Sequence, residues 1–210
     1  MTLVSVIIPT YQRPRLLMDR AIPSVLAQTV QDQEVIVVGD GTDAQTCIEM
    51  GELVKVDRRF RFVNLPHYPY PESHDLAWGL LGLAALNWGL DHAQGEWISV
   101  LGDDDEYLPN HHEVLLEAAA RTAADHVYGI AETYKAGHPI GQQYGSWPPG
   151  DGAFCNGANL YRASLGYRYS LDCTANGRTG DADLWTRMRE DGVRFHFEPK
   201  VVLRYHRNWP

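Results

Sequence analysis

The chain has 210 residues, of which 44% are hydrophobic and 21% are charged, a composition typical of one soluble globular domain. Its 27 acidic against 18 basic residues give a net charge of −9, which argues against nucleic acid or an anionic membrane as the main partner. Three cysteines without metal-type spacing predict reduced thiols in a cytoplasmic protein. No apolar stretch reaches membrane-spanning length and no secretion leader is recognisable, so neither is predicted.

Strands and helices alternate through the first half of the chain. Strands are predicted over residues 3–9, 34–38, 61–65 and 97–101, and helices over residues 16–28, 44–50, 76–92 and 111–123. We expect Pro23 to kink or restart the first helix and Asp43 to cap the second. Asn110, with Glu113 three residues later, predicts a capping box for the fourth. The alternation predicts an α/β fold with a doubly wound, mostly parallel sheet.

The second half is patterned less regularly. Strands are predicted over residues 126–134, 153–162, 194–197 and 201–205, and a helix over residues 181–191. We expect the strand at residues 153–162 to lie at an edge of the sheet. Residues 136–152 are rich in glycine, proline and aromatic side chains and predict a long loop, which in a compact domain usually has a function.

An acidic stretch follows the fourth predicted strand. Asp103, Asp104, Asp105 and Glu106 come directly after Gly102. Carboxylates this close repel one another unless a cation lies among them, and hard oxygen ligands suit Mg²⁺ or Mn²⁺ shared with a substrate's phosphates. A solvated turn that caps the next helix is the alternative. The position at the end of a buried strand favours a ligand site, because ligands of α/β sheets bind there.

Several motifs in order along almost the whole chain give it a recognisable pattern. They are residues 5–11 (SVIIPTY), 34–43, 85–89 with Asn87, 95–98, 103–105, 180–185 (GDADLW) and His206. Together they resemble the family 2 glycosyltransferases of GT-A fold. The resemblance implies a single Rossmann-like GT-A domain over residues 1–210, with a nucleotide-sugar half (1–109) and a smaller, partly antiparallel acceptor half (110–210).

The family resemblance also implies a reaction. A sugar would move with inversion from a nucleoside-diphosphate sugar, with UDP or dTDP types favoured, to an acceptor hydroxyl, and Mn²⁺ or Mg²⁺ would neutralise the leaving diphosphate. Asp181 would be the general base, although a carboxylate at the start of a helix is also a common cap. Asp104 and His206 would bind the metal. The donor would be bound by Pro9, Thr10, Tyr11, Arg13, Asp40, Asn87 and Asp103.

Two of these donor contacts have specific predicted roles, and one aromatic residue is an acceptor candidate. Tyr11 would pack on the face of the base and Asp40 would accept a hydrogen bond from a ring N–H. Trp147, in the predicted long loop, either stacks on an acceptor sugar or anchors the loop. His111 and His112 look like metal ligands but fall in the first turn of a predicted helix, and we do not assign them to the metal.

The chain also departs from the family pattern. Many members have aspartate where this chain has Gly39 and Gly102, and arginine where it has Leu86. The diphosphate would then need another cation, for which Arg13 and Arg178 are candidates. Two alternatives stay open: a non-catalytic nucleotide-sugar-binding protein, and a metal-dependent phosphatase or nucleotidyltransferase. Neither alternative enzyme has its usual motif after the first strand, where Thr10-Tyr11-Gln12-Arg13 stands.

Overall fold

The computed structural model of the chain describes residues 3–149 and 153–207. Its strands are β1 Val4–Thr10, β2 Gln33–Asp40, β3 Phe60–Leu65, β4 Trp97–Val100, β5 Glu106–Tyr107, β6 His126–Lys135, β7 His138–Tyr144, β8 Asn159–Arg162 and β9 Phe195–His206. Its α-helices are α1 Pro14–Leu16, α2 Ile22–Leu26, α3 Ala44–Val56, α4 His74–Leu80, α5 Leu83–His92, α6 His111–Thr122 and α7 Gly180–Glu190. No helix among the described residues combines the length and the apolar character needed to cross a bilayer.

The strands form one mixed sheet in the order β3-β2-β1-β4-β8-β6-β9-β5, with β7 paired to β6. Strands β3, β2, β1 and β4 are parallel, and antiparallel pairing begins where β8 joins β4. The predicted α/β fold, with a parallel part and a smaller antiparallel part, is therefore confirmed.

Helices cover both faces of the parallel part, which explains why β1 and β2 read as continuous apolar runs. Alternate side chains of β1 point to opposite faces. Val6 and Ile8 pack in the core that includes Leu17 and Leu115, from the helices on one face. Ile7 packs on the other face with residues of α4, α5 and α7.

The helix starts in the first half follow local side-chain chemistry. A π-helical turn over Leu17–Ala21 separates α1 from α2, and α2 restarts with Pro23 in its first turn, where a missing N–H is tolerated. Asp43 caps α3 as predicted by accepting a hydrogen bond from the Thr46 N–H at 2.7 Å. The capping box at α6 does not form: Asn110 makes no side-chain cap, and Glu113 instead accepts from the Thr29 hydroxyl at 3.0 Å.

The helix predicted over residues 76–92 is two helices. Gly82 adopts a left-handed conformation, with φ of +75°, and separates α4 from α5. A glycine takes this conformation without strain. The break leaves Leu81 about half exposed while Leu83 packs in the core, and this turn becomes a wall of the cleft described below.

Three predictions for the second half were wrong in detail. The predicted loop contains β7, which folds back on β6 through Ala136 and Gly137, both with positive φ; residues 150–152 lie outside the described part of the chain. The predicted edge strand is shorter and lies inside the sheet, as β8 between β4 and β6. The two late strands are one strand, β9, whose pairing with β6 shifts register after Phe197, next to Pro199, which has no N–H to donate.

Candidate active site

A cleft opens at the carboxyl ends of β1, β2 and β4. Because β1 pairs in parallel with β2 and with β4, the loops that follow these strands meet at one edge of the sheet. The part of the cleft next to the acidic stretch, here called the acidic cavity, has a volume of about 550 Å³. The predicted site residues that line it are Pro9, Thr10, Tyr11, Arg13, Asp40, Asp103, Asp104, Asp181 and His206.

Asp103 is fixed by the loop after β1. Its Oδ2 accepts hydrogen bonds from the Thr10 hydroxyl at 2.9 Å and from the Tyr11 N–H at 3.4 Å. Burial, with the nearby charge of Asp104, raises the pKa of Asp103 to about 6. These two contacts explain why the motif at the end of β1 and the acidic stretch occur together.

Arg13 lies across the acidic stretch. Its Nη1 is 3.0 Å from Asp104 Oδ2 and 3.4 Å from Asp103 Oδ1. Among the described residues, Arg13 is the one arginine or lysine that lines the acidic cavity. Leu86, where many family members have arginine, is a buried apolar part of the wall.

Asp105 does not line the acidic cavity. It is buried, and its Oδ1 accepts a hydrogen bond from the His206 N–H at 2.8 Å. Burial, and after it the charge of Asp104, raises the pKa of Asp105 well above its usual value. This contact holds the end of β9 against the acidic stretch and so brings His206 into the cavity wall.

The side chains around Asp104 allow a divalent metal to bind but do not by themselves form its whole coordination shell. In the described part of the chain, no group of three or more His, Cys, Asp or Glu side chains is arranged to hold an ion. His206 Nε2 is buried without a hydrogen bond, 3.3 Å from Glu106 Oε1, and burial, with the charge of Arg20, lowers the pKa of this imidazole. A neutral imidazole beside Asp104 fits Mg²⁺ or Mn²⁺, which take few protein ligands and complete their shell with phosphate and water.

Aromatic residues missed by the sequence analysis close the other end of the acidic cavity. The ring of His67 stacks on Tyr11 with centroids 4.7 Å apart. Tyr70 donates a hydrogen bond to Asp40 Oδ2 and accepts one from the Gly82 N–H at 3.1 Å. Both residues follow β3, in a loop that the sequence identified only by its prolines.

Asp40 already has partners inside the protein. Its Oδ1 accepts from the Tyr68 N–H at 2.7 Å and its Oδ2 from Tyr70. Burial and this bond to Asp40 raise the pKa of the Tyr70 hydroxyl. Each carboxylate oxygen has a second lone pair, so the predicted contact with a base remains compatible with this arrangement and stays a prediction.

The missing carboxylate at Gly39 has a steric explanation. A Cβ at Gly39 would lie 2.6 Å from Asn64 Oδ1 and 2.7 Å from Thr42 Cγ2. The Asn64 amide accepts from the Thr42 N–H at 2.9 Å and donates to the Thr42 carbonyl at 3.1 Å. The turn after β2 is therefore built around glycine.

Asp181 stands between two cavities. It lies in the first turn of α7, and its Oδ1 accepts from the Thr179 hydroxyl and from the Ala182 N–H. It lines both the acidic cavity and a neighbouring cavity of about 890 Å³. Asp183 lines neither and pairs with Arg187 at 2.8 Å, as expected for a structural residue.

The neighbouring cavity is here called the aromatic cavity, after the side chains in its wall. These are Tyr144, Phe154, Trp185 and Tyr205. Trp185 stacks on Phe154 with centroids 3.7 Å apart and is almost fully buried, so it is mainly a core residue. Arg178 and Arg207 also line this cavity, which places Arg178 away from the acidic one.

Two predicted site residues lie outside both cavities. The amide of Asn87 donates to the Tyr169 carbonyl at 2.9 Å and accepts from the Tyr169 N–H at 2.8 Å, so it fastens a loop rather than facing the donor. Trp147 is 60% exposed and lines neither cavity, which gives its predicted stacking on an acceptor no support.

The paired histidines of α6 are core residues. His111 and His112 are fully buried, and His111 Nδ1 lies 3.0 Å from the Val202 carbonyl oxygen. Burial lowers the pKa of His111 to about 3. Their exclusion from the metal site agrees with this position.

Comparison with known proteins identifies sequence relatives over part of the chain. A family model described as "Glycosyl transferase family 2" matches residues 5–68 and 76–162. A GalNAc(5)-diNAcBac-PP-undecaprenol β-1,3-glucosyltransferase of Campylobacter jejuni is 33% identical over 136 residues, which are 64% of this chain and 40% of the relative. The succinoglycan biosynthesis protein ExoW of Rhizobium meliloti is 30% identical over 128 residues, which are 60% of this chain and 36% of ExoW. The chain thus spans less than half the length of these curated relatives.

Solved structures share the fold across nearly the whole chain. S. aureus TarS 1-349 in complex with UDP-GlcNAc matches 99% of this chain and 59% of its own, with a TM-score of 0.72 and 15% identity. Mannosyltransferase PcManGT from Pyrobaculum calidifontis, in complex with GDP-Man and Mn²⁺, matches 99% of this chain and 57% of its own, with a TM-score of 0.70 and 15% identity. These matches confirm the predicted GT-A fold.

Proposed function

Because the chain belongs to glycosyl transferase family 2, we propose that it is an inverting glycosyltransferase. It transfers a hexosyl group from a nucleoside-diphosphate sugar to an acceptor hydroxyl, in the assembly of a glycan or polysaccharide. The observation that carries this proposal is the position of Asp181 at the junction of the acidic and aromatic cavities.

The donor occupies the acidic cavity in this proposal. The base stacks on Tyr11, on the face not covered by His67, and donates a ring N–H to Asp40. Asp103, held by Thr10 and the Tyr11 N–H, contacts the ribose. A uracil or thymine base suits an acceptor at Asp40 because its ring N–H is a donor. The UDP and UDP-GlcNAc complexes of TarS support this choice, whereas the GDP-Man complex of PcManGT supports another base.

The diphosphate lies toward the acidic stretch. Asp104 and His206 would hold Mn²⁺ or Mg²⁺, which when bound neutralises the charge that grows on the leaving diphosphate. Arg13 adds a second positive charge from the loop after β1. The Mn²⁺ in the PcManGT complex supports a metal at such a site.

The acceptor enters through the aromatic cavity, on the other side of the reacting carbon. Asp181 removes the proton of the acceptor hydroxyl as that oxygen attacks the anomeric carbon, while the bond to the diphosphate oxygen breaks. Attack from the face opposite the leaving group inverts the configuration. The Thr179 hydroxyl and the Ala182 N–H stabilise the Asp181 carboxylate before the reaction and fix its direction.

A ligand screen tests the binding half of the proposal. Thermal unfolding is measured with UDP, dTDP, GDP, ADP and CDP, each with and without Mn²⁺. A ligand at 100 times its dissociation constant stabilises a protein by about 2.7 kcal/mol. We expect stabilisation by UDP or dTDP that depends on the metal. Nucleotide binding with no release of nucleoside diphosphate from any donor would favour a non-catalytic binding protein, and no stabilisation by any nucleotide would contradict both proposals.

A further inference from the structure

Two arginines in the aromatic cavity form no ion pair with any carboxylate of the described residues. Most basic side chains in the described part of the chain lie within ion-pair distance of a carboxylate, among them Arg59, Arg61 and Arg187. For Arg178 and Arg207 no ion pair with a described residue exists, although both line the aromatic cavity.

Arg178 and Arg207 differ from the other described basic residues without an ion pair, because those do not line the aromatic cavity. Carboxylates outnumber basic side chains by 27 to 18 in the whole chain, so partners are abundant. Arg207 Nη1 instead donates a hydrogen bond to an uncharged group, the side-chain amide oxygen Oε1 of Gln142, at 3.3 Å. Arg178 is half-buried, and its N–H donates to the Cys173 carbonyl at 3.3 Å, which fixes its backbone three residues before Asp181.

The carboxylates of the same cavity have other contacts. Asp105 is buried and accepts from the His206 N–H, and Asp181 accepts from the Thr179 hydroxyl and the Ala182 N–H. Neither is within ion-pair distance of Arg178 or Arg207. The wall of the aromatic cavity therefore includes two arginines that form no ion pair with its carboxylates.

We infer that the acceptor carries a phosphate or carboxylate group next to the hydroxyl that receives the sugar. This inference rests on the proposed function, because it takes the aromatic cavity as the acceptor site. Guanidinium groups bind phosphate and carboxylate through paired, charge-assisted hydrogen bonds. The anion is distinct from the donor diphosphate, because Arg178 and Arg207 do not line the acidic cavity and Arg13 does.

Glucose and two of its anionic derivatives test the inference directly. Binding of glucose, glucuronate and glucose 6-phosphate is measured by calorimetry in EDTA, without nucleotide. We expect at least one anionic sugar to bind about tenfold or more tightly than glucose, with an advantage that shrinks as salt is added. Whether glucuronate or glucose 6-phosphate binds better distinguishes a carboxylate from a phosphate.

Substitutions of the two arginines test whether the anionic group binds next to them. R178Q and R207Q should each lower the affinity of the anionic sugar toward that of glucose, and R178K should keep part of it. R15Q is the matched control, because Arg15 is exposed, unpaired within the described residues and outside both cavities. Thermal unfolding of each variant confirms that it is folded.

Three results would overturn the inference: equal affinity for glucose and the anionic sugars, no measurable binding of either anionic sugar, or a loss confined to R13Q, which would place the anion in the acidic cavity. The nucleotide screen described above is independent of these measurements. Failure of the inference can thus be told apart from failure of the proposed function.

Discussion

The acidic and aromatic cavities share Asp181 but are built in different ways. The acidic cavity is formed by loops that follow neighbouring parallel strands, so short motifs at strand ends come together through the topology of the sheet. The aromatic cavity shares Pro9 and Gly102 with it and adds residues from β7, β9, α7 and the segment before β8. The first is typical of a site common to a whole fold, and the second of a site that can change while the fold is kept. The predictions that follow test this division.

The largest effect is expected from D181N. The amide keeps the size of the side chain but cannot take a proton, and loss of a general base typically slows a reaction by about 10²- to 10⁴-fold. Turnover and nucleoside-diphosphate affinity are measured side by side, and the affinity should stay close to that of the wild type.

D183N is the comparison for that variant. It weakens a partly buried ion pair with Arg187 and should lower thermal stability more than turnover. If D183N is inactive and D181N is active, the base is assigned to the wrong carboxylate. If both turn over normally, the inverting mechanism itself is contradicted.

D104A should remove the contribution of the metal to nucleotide binding and leave the other contacts of the acidic cavity in place. It removes the carboxylate closest to Arg13, and we expect the metal-dependent part of nucleotide affinity to disappear, a loss of about tenfold or more, equal to about 1.4 kcal/mol. Calorimetry with and without Mn²⁺ measures it. Unchanged metal dependence would move the site to Asp103, since Asp105 does not line the acidic cavity.

D40N tests the recognition of the base. An amide that faces a ring N–H leaves a donor against a donor, which costs about 1–3 kcal/mol when buried. Y70F is the control, because it removes the hydroxyl bonded to Asp40 while it keeps the carboxylate. We expect D40N to lower uridine-nucleotide affinity more than Y70F does. Equal affinity of the wild type for uridine and cytidine nucleotides would contradict the role of Asp40.

The smallest expected effect is the change in the free energy of unfolding with pH. Burial lowers the pKa of His111 and of His126 to about 3, below the unfolded value near 6.5. The unfolded chain therefore binds more protons between these values, and stability falls as the pH is lowered through 6.5. From pH 7 to pH 6 each histidine accounts for about 0.7 kcal/mol. Urea unfolding at the two pH values measures this loss, and H126F should reduce it.

The sequence predicted the acidic cavity better than the aromatic one for physical reasons. Thr10, Asp40 and Asp103 each follow a run of β-branched residues, and parallel strands bring such ends together without knowledge of long-range contacts. Tyr70 and His67 were missed because their contacts with Asp40 and Tyr11 join residues that are distant in the chain. The position of Asn87 outside both cavities could not be predicted for the same reason, since its partner Tyr169 lies 82 residues away.

The same reasoning explains the errors in the predicted strands and helices. Strand β8 has four residues and pairs with β4 and β6, so its interior position depends on its neighbours more than on its own pattern. The break at Gly82 was missed because isolated glycines are tolerated inside helices. Here the contact of the Gly82 N–H with the Tyr70 hydroxyl depends on a loop from elsewhere in the chain.

The position of Arg13 affects the electrostatic repulsion between the acidic cavity and an approaching anionic donor. Its guanidinium, 3.0 Å from Asp104, offsets part of the negative charge of the four aspartates that line the acidic cavity, and the whole chain carries −9. An approaching diphosphate is therefore repelled by the cavity mouth and by the more distant surface, whose field salt screens within about 10 Å. Added salt should therefore speed the encounter of the donor with this protein.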